Sequence, residues 1–212
     1  MRIKGAGQAV LPAAFWALFA LIILLNPRAS GWVDSARGYL GAILPLMGGI
    51  LGAYAVLDDP ALEILFSTPA RAEWMLAERL VPPLLIIAAA AGSFQIFLRL
   101  LGFNLTILSD PVSLQFDWLV PTLVLTGWGT SVALLARHCA AGALAVGVVW
   151  ILHLIARGWF LSLKTGSVFF LFLGIFRPGD PRLFANRVVL TLLAGGFLTA
   201  AAVLLKKQER YI

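Results

Sequence analysis

Six stretches of the chain carry no Asp, Glu, Lys or Arg, and each ends on charged or turn-forming residues. They run from Val10 to Leu25, closed by Asn26-Pro27, and from Tyr39 to Leu57, closed by Asp58-Asp59-Pro60. The next are Leu80 to Leu98, closed by Arg99, and Trp118 to Ala136, closed by Arg137-His138. The last two are Ala140 to Ala156, closed by Arg157, and Val188 to Leu205, closed by Lys206-Lys207. At 16 to 19 residues each, they are long enough to cross a hydrocarbon core of roughly 30 Å as helices with little tilt. A seventh apolar run, Ser167 to Ile175, is flanked closely by Lys164 and Arg177. Its nine residues, at about 1.5 Å each, cover only about half the core. It is therefore predicted to dip into the membrane and return, with Pro178-Gly179-Asp180-Pro181 forcing a turn after it.

The pattern predicts an all-α membrane protein with six transmembrane helices and a re-entrant helical segment before the sixth. Six spans account for most of residues 1–212, so one domain is expected. Composition agrees: the chain is 61% hydrophobic and 12% charged, with mean hydropathy +0.95, against about 25% charged residues in a soluble domain. Arg2 and Lys4 before the first run resemble the start of a signal peptide. The run is long for that role, and Pro27-Arg28-Ala29-Ser30 is a poor cleavage site, so an uncleaved first span is expected.

The net charge of +6 would suggest nucleic-acid binding in a soluble protein. Here the basic residues sit at the ends of apolar runs, where they meet lipid headgroups and snorkel, so membrane lipid is the expected partner and nucleic acid is not. Six spans place both termini on one side. Eight Lys and Arg then fall on each side, and the first helix, preceded by Arg2 and Lys4, favours cytoplasmic termini.

Signatures of catalysis are absent. No G-x-x-x-x-G-K-[ST] loop, H-E-x-x-H motif or Cys/His cluster occurs, so neither a catalytic residue nor a metal site is expected in this chain. His153 is the one histidine well inside a run, one turn from Arg157, and reads as a residue near the bilayer edge. His138 and Cys139 share a tight turn. Gly48 and Gly52 form a G-x-x-x-G pair, and Ala143 and Gly147 repeat the spacing. Such faces let backbones approach closely, within one chain or across a dimer interface.

The connection from Asp58 to Arg79 holds five of the ten acidic residues. It reads as two short amphipathic helices. Asp59 and Pro60 supply an N-cap and a first helical residue, and Leu62, Leu65 and Phe66 oppose Glu63. Beyond Pro69 the pattern restarts through Trp74, Leu76 and Ala77. This mixture suits a helix lying on the membrane surface and docking a soluble partner.

The pattern Glu63-Ile-Leu-Phe-Ser67-Thr68-Pro69-x-Arg71-x-Glu73, between the second and third runs, resembles the first cytoplasmic loop of the permeases of type 2 ABC transporters. Those typically read like E-x-L-L-x-T-P-x-x-R/S there. The resemblance extends to six spans, inward termini and a membrane-dipping connection before the last span. It implies a cytoplasmic coupling helix between spans 2 and 3, with Glu63, Ser67, Thr68, Pro69, Arg71 and Glu73 contacting a separate ATPase subunit. It further implies a second permease chain, ATP and Mg held by the partner rather than by this chain, and the plasma (inner) membrane of a prokaryote. The family's amphipathic N-terminal helix is expected to be shortened or missing, because about eight residues precede the first run. An exporter of an amphipathic, lipidic or peptidic substrate is the implied function. A membrane scaffold or assembly factor docking a cytoplasmic partner is the alternative.

Overall fold

With no water to satisfy backbone groups in hydrocarbon, long apolar runs must fold as helices. The computed structural model describes residues 4–26, 29–57, 72–163 and 165–206, and among these residues there are helices and turns and no strand. The helices are α1 (Lys4–Leu25), α2 (Ala29–Gly38), a π turn (Tyr39–Ile43), α3 (Leu44–Leu57), α4 (Ala72–Leu100), α5 (Pro111–Ala136) and α6 (Cys139–Ile155). Three short helices follow, α7 (Arg157–Ser162), α8 (Gly166–Phe169) and α9 (Leu173–Phe176), and then α10 (Leu183–Leu205). Five stretches, 7–25, 31–57, 72–100, 111–136 and 183–205, are long and apolar enough to cross a membrane. The apolar α6 is shorter, at 17 residues.

Two apolar clusters mark the ends of the bundle. One joins Val56 at the end of α3, Met75 and Leu76 at the start of α4, Leu134 at the end of α5, and Ala201 and Leu205 at the end of α10. The other joins Ile23 at the end of α1, Trp32 and Ala36 of α2, Leu98 at the end of α4, and Leu114 and Trp118 at the start of α5. Helices α3, α4 and α5 therefore alternate in direction, and α10 runs parallel to α5. A tight turn reverses the chain into α6. Arg137 takes a left-handed backbone (φ 56°), and the backbone N–H of Ala140 donates to Nδ1 of His138, which caps the helix.

Two elements differ from the sequence expectation. The second short helix anticipated beyond Pro69 is the beginning of α4, continuous with the third apolar run. Nothing between Ala72 and Val81 breaks a helix, and Met75, Leu76 and Leu80 are buried against α3, α5 and α10. The second apolar run is also extended backwards by α2, through the π turn. There the N–H of Leu44 bonds the carbonyl of Tyr39, five residues back. Pro45 follows and has no N–H for the carbonyl four residues before it, so the regular ladder is interrupted at this point. Nε1 of Trp150, on α6, donates to the carbonyl of Ala42 within the widened turn (2.8 Å).

Helix α5 is the central post, and glycines set how closely its neighbours approach. A Cβ on Gly48 would lie 2.5 Å from Thr122 Cγ2, and one on Gly52 2.7 Å from Thr126 Cγ2. One on Gly129 would lie 2.7 Å from the carbonyl oxygen of Gly49, and one on Gly142 would collide with the carbonyl of Gly129. Helices α3, α5 and α6 thus meet backbone to backbone. Hydroxyls tie the same post to its partners: Thr130 Oγ1 donates to Gly52 O (3.0 Å), and Ser131 Oγ to Phe197 O of α10 (2.7 Å).

Gly129→Leu should therefore force α3 and α6 away from α5, a cost of about 1–3 kcal/mol by overpacking. Gly147→Leu should be nearly neutral, since nothing among the described residues lies within 4 Å of a Cβ there. Thermal unfolding of the two variants in detergent checks this; equal midpoints would show that the seam is not close-packed.

Candidate functional site at a buried charge pair

The bundle end that holds the α4–α5 connection buries Gln95, Ser167 and Asn186 and, beside them, the charged pair Asp117 and Arg187. The helix N-terminus of α5 is set by Asp110, whose carboxylate accepts from the backbone N–H groups of Val112 and Ser113, both at 3.1 Å, with Pro111 at the first helical position. Hydrogen bonds from Ser113 hold the Asp110 carboxyl below the usual carboxylate range. One and two turns in, Ser113 and Asp117 occupy one helical face at i and i+4.

Arg187, at the start of α10, spans that face. Its Nη2 lies 2.8 Å from Asp117 Oδ1, and both side chains are largely buried, at 21% and 11% exposure. It also donates to Ser113 Oγ and Ser113 O, each at 3.2 Å. Its guanidinium carbon stands 5.5 Å from the centre of the Phe116 ring. On the other side, Gly174 of α9 lies so close to the Asp117 carboxylate that no Cβ would fit between them. A pair buried to this degree contributes modestly to net stability, but removing one partner strands the other, at about 3–5 kcal/mol.

A second cation faces the same carboxylate. Arg37 of α2 donates through Nη2 to the carbonyls of Ile107 and Leu108, both at 3.3 Å. It shares with Asp117, Gly41, Trp118 and Gly174 a void of about 20 Å³, enough for one water. The Nε atoms of Arg37 and Arg187 are buried without a hydrogen-bond partner among the described residues. Arg187 thus pairs with the aspartate directly, and Arg37 lines the void beside it.

Asn186, next to Arg187, fixes the broken segment. It is 3% exposed, and its Nδ2 lies within 3.2 Å of the carbonyls of Ser167, Val168 and Phe170. Those carbonyls flank the break between α8 and α9, where the helical ladder ends with the N–H of Phe170 on the carbonyl of Ser167. Arg182 adds a bond to Ser167 Oγ (3.3 Å). Phe170, Leu171, Phe172 and Leu173 are buried, so the run 167–175 folds back into this end of the bundle as two short helices and an irregular turn. The re-entrant helical segment expected there is thus broken into two four-residue helices, α8 and α9, and Asn186 bonds carbonyls at the break. His153 backs the same segment. Its ring stacks on Phe160 at 4.7 Å and lies 6.1 Å from Phe170, and its Nδ1 is 2.8 Å from the carbonyl of Val149.

The residues singled out from sequence are dispersed. Glu63, Ser67, Thr68, Pro69 and Arg71 lie outside the described residues. Glu73 begins α4 at the opposite end of the bundle, where its carboxylate meets Lys206 Nζ at 2.6 Å, both side chains being about half exposed, at 54% and 57%. Such an exposed pair contributes at most about 1 kcal/mol. Gly48 and Gly52 face α5 within the chain, Ala143 is half-buried on α6, and Gly147 opens onto the outside. Among the described residues no group of three His, Cys, Asp or Glu side chains could hold a metal. Sequence reasoning missed Asp117, Arg187 and Asn186 because they stand at the margins of apolar runs, where charges look interfacial. The available signal was Ser113 and Asp117 at i, i+4 ahead of one run and Asn186-Arg187 ahead of another.

These features define a helical protein of the multi-pass membrane class. No family model, curated protein or solved structure matches the chain.

Gly174→Ala should drive the Asp117 carboxylate off Arg187 or lift α9 from α5. Asn186→Leu should release the carbonyls of 167–170. In both variants amide hydrogen exchange across 166–176 should rise at least tenfold over the native rate, with exchange in α3 unchanged. Native-like protection in either would show that these contacts do not hold the segment.

Proposed function

We propose that the chain is the membrane-spanning permease subunit of an ATP-driven type 2 ABC transporter. It works as an exporter of an amphipathic, lipidic or peptidic substrate, energised by a separate ATPase on the cytoplasmic face and paired with a second permease chain. The observation that carries the reading is the Glu63 to Glu73 pattern in the connection between α3 and α4. Five long apolar helices with a sixth, shorter one, and a broken apolar segment before the last, support the six-span layout with a cytoplasmic coupling helix. The clustering of the ends of α3, α5 and α10 with the start of α4 supports a single docking face there. Charge-poor spans favour an amphipathic cargo over a small ion, which calls for intramembrane charges along a path. In this reading ATP binding and hydrolysis in the partner displace the coupling loop. The displacement reaches α3 and α4, and the two permeases rock about their shared interface.

Glu63→Lys and Pro69→Ala test this. Charge reversal at a docking contact, or loss of the proline that separates two short helices, should weaken the ATPase complex about tenfold, the equivalent of about 1.4 kcal/mol. Substrate-stimulated hydrolysis should fall in step, while insertion stays normal. Asp34→Lys, on an exposed position of α2 at the opposite end, should leave both intact. Full partner binding and hydrolysis in the loop variants would remove the coupling role and favour a scaffold that docks its partner elsewhere.

A further inference from the structure

At the same end of the bundle as the charge pair, a cleft of about 150 Å³ opens between the end of α4 and the start of α5. Its polar lining is Gln95, Arg99, Asn104, Thr106, Ser109 and Gln115. No carboxylate lines it, and the Asp110 carboxylate beside it is turned into the first turn of α5, accepting two backbone N–H groups there. The amide acceptors in the cleft are already used. Asn104 Oδ1 accepts from the backbone N–H and hydroxyl of Thr106, at 3.1 and 2.8 Å. Gln95 Oε1 accepts from Gln115 Nε2 at 2.8 Å. Gln115 Oε1 accepts from Gln95 Nε2 at 3.3 Å and from Trp118 Nε1 at 2.9 Å.

The donors are left over. Each glutamine keeps a second N–H, and Asn104 keeps both of its own. The Ser109 hydroxyl makes no side-chain bond, and the Arg99 guanidinium has neither an ion pair nor a hydrogen bond among the described residues. A concave site whose acceptors are occupied, whose donors are free and whose one charge is an arginine selects an anion with several oxygens. The cleft lies where α4 ends and α5 begins, the depth at which a spanning helix meets the headgroups. Ile96, Leu100 and Leu101 are exposed beside Arg99, at 60%, 81% and 41%, an apolar wall next to the polar floor.

We propose that this cleft binds a phosphate ester carrying neighbouring hydroxyls, with Arg99 on the phosphate and Asn104, Ser109 and the two glutamines on its oxygens. The ester is either the headgroup of a phospholipid, with its chains along Ile96 and Leu100, or a free polyol phosphate. The site does not depend on the transport reading, and either can stand without the other.

The test uses the full chain in detergent, with thermal stabilisation as readout and three probes: dihexanoyl phosphatidylglycerol, glycerol 3-phosphate, and dihexanoylglycerol, which lacks the phosphate. Stabilisation by both phosphates places recognition in the ester alone. Stabilisation by the lipid only shows that the chains are needed as well. Either outcome supports the site, provided that dihexanoylglycerol has no effect. Arg99→Gln, at an exposed position, should weaken binding at least tenfold, and Thr106→Trp should fill the cleft and abolish binding while leaving the charge in place. Equal stabilisation by dihexanoylglycerol, no response to any probe, or unchanged binding in Arg99→Gln would overturn the proposal. So would Thr106→Trp that keeps its unliganded midpoint and still binds, since attraction would then be to bulk charge rather than to the cleft.

Discussion

Placing a carboxylate and a guanidinium together beneath the end of a helical bundle has a consequence beyond the two residues. Removing either one leaves the other without its direct ion pair, and an isolated ion in low dielectric costs several kcal/mol. Asp117 and Arg187 are joined at 2.8 Å, and the link fixes the start of α10 against the start of α5. Asn186, one residue earlier, then reaches the carbonyls of the broken segment, and Gly174 allows α9 to close over the carboxylate. Disturbing the pair therefore moves α10, the segment 166–176 and the floor beneath α2 together. Arg37 gives the arrangement an unusual balance, since Asp117 has a second cation within the same small void.

At mid-bundle the constraint changes from charge to distance. Within hydrocarbon there is no hydrophobic drive to bring helices together, so packing contacts and interhelical hydrogen bonds must do so. Gly49, Gly129 and Gly142 bring three backbones into contact, and Thr130 and Ser131 donate across the interfaces so formed. The two devices divide the molecule. A close-packed seam of α3, α5 and α6 forms a rigid unit, and a polar end secures the irregular segment that a lipid-facing location would not tolerate.

The apolar runs were legible because a residue such as Asp, Lys or Arg is so costly in hydrocarbon that its absence over 16 residues or more is informative. The short run at Ser167 was legible for the same reason, by its length. The first turns of α4 were misread because Glu73, Glu78 and Arg79 alternate with buried Met75 and Leu76, a pattern that a surface helix and the wet end of a long helix share. Helix α2 was hidden by Asp34 and Arg37, although Trp32, Ala36 and Tyr39 lie buried at helical spacing. The glycine contacts were half visible: spacing identified Gly48 and Gly52 as a close-approach face but could not name α5 as the neighbour. The charge pair joins residues 70 positions apart, and no local pattern encodes such a partnership.

The most direct measurement is a double-mutant cycle on the charge pair, using Asp117→Asn, Arg187→Gln and the combination, with unfolding free energy measured in bicelles. If the pair anchors this end of the bundle, each single variant loses about 3–5 kcal/mol, and the double variant loses less than either single, because no charge is stranded. Losses in the single variants that simply add in the double would contradict the account, and α10 would then be held to α5 by packing alone.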